Sequence, residues 1–221
     1  LDLGRRALEY VPGADRIRFC ASGTEATMYA ARLVRAATGR PRILKLEGGW
    51  HGGNTDLSVA VSAPFDEPTT VGLPPGAAEH VHAFPLNDVD ALAELVAEYA
   101  GEIAGIIVDP RRGGIEPSGE VLSYVTELRE EEGIRLIMDE VVTGFRVSPG
   151  TYSARVGISP DVTALGKVIG GGLPVGAIAG DASLFEAARP DVETDAPVLA
   201  GGGTFSMNPM TAAAGIATLE V

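Results

Sequence analysis

Short apolar runs alternate with amphipathic stretches along the chain. "IRFCA" (17–21), "RILKLE" (42–47), "LSVAV" (57–61), "GIIVD" (105–109), "RLIMDE" (135–140), "VTAL" (162–165) and "VGAIAG" (175–180) read as strands. Several are apolar almost throughout, as strands buried on both faces of a parallel sheet must be. Between them lie helical patterns. Residues 24–38 are Ala-rich and stop before Gly39. Residues 88–99 put Val89, Leu92, Leu95, Val96 and Tyr99 on one face. Residues 120–132 stop before Gly133, and a last helix starts near Asn208. Alternation of this kind predicts an α/β fold: an open, mostly parallel sheet of about seven strands flanked by helices. The segment 63–78 is rich in Pro, Gly and Thr and has no periodicity, which suits a lid or a mobile excursion.

Composition narrows the function classes. The chain has 221 residues, 45% of them apolar, enough for one large core. A net charge of −13 argues against a nucleic-acid backbone as partner and favours a small molecule. No 18-residue apolar run is present, so no membrane span is expected. The single cysteine, Cys20, excludes an internal disulfide and suits a reducing, cytoplasmic setting. The start, "LDLGRRALEY", has neither Met nor the layout of a signal peptide and reads as the middle of a longer chain.

Two lysines stand against 15 arginines, and one of them, Lys167, ends an apolar run just before a triple glycine. A solvated loop lysine is the plain explanation; a chemical one needs neighbours. A phosphate-binding P-loop fails, because Asp161 stands where its first glycine belongs and Val168 where Ser or Thr is needed. Ligands of open α/β sheets sit outside the carboxyl ends of the strands. If the strands are right, Ser22, Gly23, Thr24, Trp50, His51, Asp139 and Lys167 converge on one rim. Ser22 and Glu25 form an S-x-x-E capping box, and the same hydroxyls and glycine at a helix start also suit a phosphate. Asp139 ends an apolar strand, either as a cap or as a carboxylate held against a cation. His80 and His82 could share a strand face, yet no third metal ligand is evident and no metal is expected. A phosphate cradle, a flat aromatic, a buried carboxylate and a lysine are together what pyridoxal 5'-phosphate requires. The amine forms a Schiff base with its aldehyde, and the carboxylate keeps its ring nitrogen protonated.

The words "SGTEATM", "GGWHGG", "VGLP", "MDEVVTGFR", "SPDVTALGKVIGGGLPVGAIAG" and "GGGTFSMNP" occur in one order across nearly the whole chain. In that order they resemble the class III pyridoxal-phosphate-dependent aminotransferases, of fold type I, and within them most nearly the aminomutase branch acting on glutamate-1-semialdehyde. The resemblance implies that Lys167 carries the cofactor and then moves the substrate proton. It implies that Asp139 pairs with the pyridine nitrogen and that Val141 packs on the ring opposite Trp50. Ser22, Gly23 and Thr24 would hold the phosphate, with His51 beside the cofactor. Thr204 would reach the phosphate of a neighbouring subunit, making a homodimer with shared active sites. The 63–78 segment would correspond to a gating loop. Residues 1–221 would form a cofactor-binding large domain, with an amino-terminal segment and a carboxyl-terminal small domain lying outside it. A small amino acid or amino-aldehyde is the implied substrate. An ω- or β-amino-acid transaminase, a decarboxylase or racemase on the same fold, and a cofactor-binding module without turnover are the alternatives. Two departures stand out. Trp50 replaces the usual Tyr or Phe, and "VDPRRGGIEP" has Asp109-Pro110 and Gly113-Gly114 where the family has Glu-Pro and Gly-Asn.

Overall fold

In a computed structural model, residues 2–65, 71–77, 79–111, 114–188, 198 and 203–221 are described. One seven-stranded sheet organises them. Its strands are β1 (Arg16–Cys20), β2 (Arg42–Leu46), β3 (Val81–Phe84), β4 (Ile103–Val108), β5 (Arg135–Asp139), β6 (Val162–Gly166) and β7 (Gly176–Gly180). The order across the sheet is β1-β7-β6-β5-β4-β2-β3. Only β7 runs against its neighbours, with Arg16 opposite Gly180 on one side and Val162 opposite Gly180 on the other. The predicted α/β architecture is therefore the observed one.

Helices cover both faces: α1 (Asp2–Leu8), α2 (Gly23–Thr38), α3 (Val89–Glu98), α4 (Gly119–Glu131), α5 (Tyr152–Val156), α6 (Ala182–Phe185) and α7 (Pro209–Leu219). Helix α2 shows why these segments fold as they do. Ser22 Oγ accepts the Glu25 amide at 3.2 Å, and Glu25 reaches back to the Ala21 amide at 2.6 Å. The helix ends where Gly39, at φ 67°, turns its amide onto the Arg35 carbonyl. Ala26, Ala30, Leu33 and Val34 recur at helical spacing and are buried against Ile43, Ile107 and Ile137 of the sheet. On the opposite face Leu44, Ile106, Leu136 and Met138 meet α3 and α4 through Leu92, Val121 and Val125. Each fully buried side chain of this size contributes about 1.5–3 kcal/mol, which is why the central strands are so uniformly apolar.

One predicted strand is absent. Residues 57–61 run from the end of a turn into bends, and the seventh strand is β3, further along. Apolar content alone suggested a strand at 57–61, but its carbonyls are taken up elsewhere: Lys45 Nζ donates to Leu57 O at 3.0 Å and to Val59 O at 2.7 Å. The short β3 carries His82, whose ring stacks on Tyr99 at 4.2 Å and whose Nε2 lies 2.7 Å from Arg42 Nη1. Burial and the Arg42 charge hold the His82 ring below its ordinary pKa. Among the described residues no cluster of three His, Cys, Asp or Glu side chains could hold a metal ion. No described helix is long and apolar enough to cross a membrane. Cys20 is buried, and desolvation pushes its thiol up to about 12.

Asp161 fastens α4 to the sheet. Its carboxylate accepts from Arg129 Nε at 2.9 Å, Arg135 Nη1 at 3.0 Å and the Leu136 amide at 2.8 Å. Both arginines are about a third exposed, so water screens part of this attraction. Asp161→Ala in the full-length protein is expected to cost about 2–3 kcal/mol in urea unfolding at neutral pH, mostly through the orphaned Leu136 amide.

Candidate active site

Because β1, β2, β4, β5 and β6 are parallel, their carboxyl ends open on one rim. There lies a cavity of about 390 Å³, lined by Ser22, Gly23, Thr24, Trp50, His51, Asp139, Val141 and Lys167 among others. Eight of the nine residues singled out from the sequence are thus brought together. The ninth, Thr204, is exposed and does not line this cavity.

The centre of the site is a buried pair. His51 Nδ1 lies 2.7 Å from Asp139 Oδ2, and the Val141 amide donates to Asp139 Oδ1 at 3.1 Å. Both side chains are almost wholly removed from water. An ionised carboxylate can only accept, so Nδ1 is the protonated ring nitrogen facing it. His51 Nε2 is buried without a hydrogen-bond partner among the described residues. Two oxygens offer about four lone-pair directions. Asp139 therefore keeps capacity for another donor on the cavity side.

The phosphate-type cradle is the start of α2. Glu25 and Ala26 spend their amides on Ser22. By helix geometry the amides of Gly23 and Thr24 have no intrahelical acceptor, and the positive end of the 16-residue helix lies beside them. A Cβ on Gly23 would stand 2.6 Å from Val141 Cγ1, so only glycine lets β5's exit pack this closely on the helix start. The loop after β2 is tied down on the same helix: Thr27 Oγ1 donates to the His51 carbonyl at 2.5 Å.

Lys167 is exposed and follows β6 directly, with φ at 47°. A left-handed conformation in a residue other than glycine costs about 1 kcal/mol or more and is tolerated where the surroundings impose it. Here a single 3-10 turn, Lys167–Gly170, closes on Gly171 and projects the lysine at the rim. Trp50 stands at the mouth and is 60% exposed.

Two contributions escaped the sequence reading. Leu173, Pro174 and Val175 line the cavity because β7, running antiparallel, begins at this rim. Strand direction leaves no mark in local sequence. Asp109 also lines the cavity, at the end of β4. The rule of strand ends could have found it, since it closes the predicted strand 105–109. The 63–78 segment stands apart. Residues 66–70 and 78 lie outside the described residues. Phe65 and 71–77 border a different cavity, of about 750 Å³, which shares no lining residue with the first.

A cavity of this size falls in the range of roughly 300–1,000 Å³ usual for small-ligand sites. Its acid, its orphaned imidazole nitrogen, its helix start and its lysine fit a phosphorylated pyridine aldehyde. Sheet and site together define a fold type I pyridoxal-phosphate-dependent transferase. The family is narrower than that: the class III aminotransferase family model matches residues 1–221, and the chain belongs to that family.

Among curated relatives, the glutamate-1-semialdehyde 2,1-aminomutase of Aquifex aeolicus is 43% identical over 224 residues, which is 99% of this chain and 52% of that protein. The enzyme of the same name from Chloroflexus aggregans is 45% identical over 225 residues, 99% of this chain and 50% of its own. Among solved structures, an omega-transaminase from Sphaerobacter thermophilus superposes with a TM-score of 0.91 at 35% identity, over 99% of this chain and 52% of that one. A transaminase with PLP bound gives a TM-score of 0.90 at 30% identity, again over 99% and 52%. The chain therefore spans about half the length of the relatives it matches.

Asp109 offers a test by pH. Burial, followed by the nearby Asp139 charge, lifts its carboxyl above the ordinary 3.8, against the Arg111 amide, His51 and Lys167. The folded state then holds the proton more tightly than the unfolded one, so this group's stabilising contribution falls as pH rises above about 4. Asp109→Asn removes that loss. The melting temperature of the variant minus that of the parent is expected to become more positive from pH 4 to pH 7.

Proposed function

We propose that this chain is the cofactor-binding large domain of a longer pyridoxal-phosphate enzyme, and that the enzyme converts glutamate-1-semialdehyde to 5-aminolevulinate. The observation that carries the cofactor reading is the convergence of Lys167, Asp139, His51 and the α2 start on one cavity. Two relatives at 43% and 45% identity bear the aminomutase name, which supports the choice of reaction.

The bound cofactor would supply an electron sink for a carbanion next to the amino group. The chain's own residues would do the rest. Asp139 would hold a proton at the pyridine nitrogen, with His51 and the Val141 amide fixing the carboxylate's orientation. The amides of Gly23 and Thr24 and the Ser22 and Thr24 hydroxyls would bind the phosphate. Val141 would press on one face of the ring while Trp50 covers the other. Lys167 would anchor the cofactor and, once released, take up and return a proton at the substrate carbon that bears the amino group. Thr204, exposed and outside the lining of its own chain's cavity, would contact the phosphate held by a second copy, giving a homodimer.

A second reading has its own support. The solved neighbours include an omega-transaminase and a beta-phenylalanine aminotransferase, at TM-scores of 0.91 and 0.83. An ω- or β-amino-acid transaminase on the same cavity would use the same residues in the same roles. A binding module without turnover would keep the cofactor and lose the reaction.

Incubating the full-length holoenzyme with glutamate-1-semialdehyde should yield 5-aminolevulinate with no added amino acceptor. A strict need for a keto acid would instead identify a transaminase, and a bound cofactor with no product in either assay would identify a module. Lys167→Ala should abolish borohydride trapping of the cofactor on the protein. Asp139→Asn should leave the fold intact and lower turnover by about 10²–10⁴-fold, the range of a lost proton-transfer partner.

A further inference from the structure

The chain's other lysine is its opposite. Lys45 lies in β2 between strands β3 and β4, wholly buried, in a run that is otherwise Ile43, Leu44 and Leu46. Side chains alternate along a strand, so Lys45 shares the face of Ile43, the face covered by α2. A charge in such a place is tolerated only when its hydrogen bonds are met. Its Nζ donates to Gly49 O at 2.8 Å, Leu57 O at 3.0 Å and Val59 O at 2.7 Å. All three carbonyls belong to the turn-rich excursion that follows β2. The excursion's ends meet where the Gly48 amide donates to Ala60 O at 2.6 Å.

Inside this loop the His51 backbone is held as well. Its carbonyl accepts from Asn54 Nδ2 at 3.0 Å as well as from Thr27, and Asn54 Oδ1 accepts the Leu57 amide at 2.9 Å. The ammonium thus stands where another protein would place a metal ion, gathering backbone oxygens from both limbs of one loop. A protonated amine carries three N–H donors, matching the three carbonyls; neutral isosteres carry fewer or none. Arginine, which supplies nearly all other positive charge here, is planar and longer and does not fit a trigonal set of oxygens around one nitrogen.

We infer that Lys45 is a positioning residue for the active site: its ammonium closes the 48–60 loop and thereby holds the His51 ring on Asp139. The inference rests on the cofactor-site reading and is independent of which amino compound is the substrate. Lys45 touches neither the cavity nor a reacting atom, and its effect would pass through the loop backbone.

The test uses the full-length holoenzyme and the variants Lys45→Met and Lys45→Gln. Hydrogen exchange read peptide by peptide should quicken at least tenfold in 48–60 in Lys45→Met, with the rest of the sheet protected as in the parent. Lys45→Gln, which keeps two N–H donors, should recover part of that protection. The pH midpoint of the bound cofactor's absorbance change should shift in Lys45→Met and move back towards the parent in Lys45→Gln, because the placement of the His51 and Asp139 side chains sets the electrostatic surroundings of the cofactor ring. Unchanged exchange in 48–60, or an unchanged midpoint, would overturn the inference. Loss of protection across the whole sheet in both variants would overturn it as well, since Lys45 would then support the core rather than the loop. Failure to make 5-aminolevulinate touches none of these readouts.

Discussion

A carboxylate at the end of a buried strand has to be met by a donor, and here the donor is an imidazole brought from another strand's exit loop. Asp139 and His51 are 88 positions apart in the chain yet 2.7 Å apart in space. Neither would be stable alone in this setting, because each would leave a polar atom unsatisfied in a poorly solvated place. The parallel run of β2, β4, β5 and β6 makes the pairing possible, since it delivers both exits to the same rim. Helix α2 locks it, with Gly23 against Val141 on one side and Thr27 on the His51 carbonyl on the other.

The two lysines occupy opposite environments. Lys167 is exposed and set in a left-handed turn at the rim of the cavity. Lys45 is sunk in the sheet, and its amine is engaged with loop carbonyls. One residue type therefore stands in two opposite settings, set by the surroundings alone. Elsewhere charge is placed for structure. Glu140, next to Asp139 and fully buried, accepts from the Ser153 amide at 2.8 Å, the Ser153 hydroxyl at 2.6 Å and the Tyr152 amide, and so fixes the start of α5.

The same logic explains what local pattern could and could not convey. Six of the seven predicted strands correspond to strands in the sheet, because continuous apolar runs have few other uses. The segment 57–61 misled for a physical reason: Leu57 and Ala60 are buried as in a strand, but the Leu57 and Val59 carbonyls turn to Lys45 instead of a ladder. β3 was missed because four residues at a sheet edge carry too short a pattern to separate from a loop. Asp109 was legible as a strand end, yet its place beside Asp139 depended on β4 and β5 being neighbours.

By itself the sequence determined the α/β class, the cap of α2, the family and the residue types a phosphorylated cofactor needs, because helix caps, apolar periodicity and short motifs are local properties of neighbouring residues. The tertiary structure alone decided that β7 runs backwards and lends Leu173 to Val175 to the cavity, and that His51 meets Asp139. Those are contacts between distant segments, set by strand order and direction, and no window along the chain contains both partners.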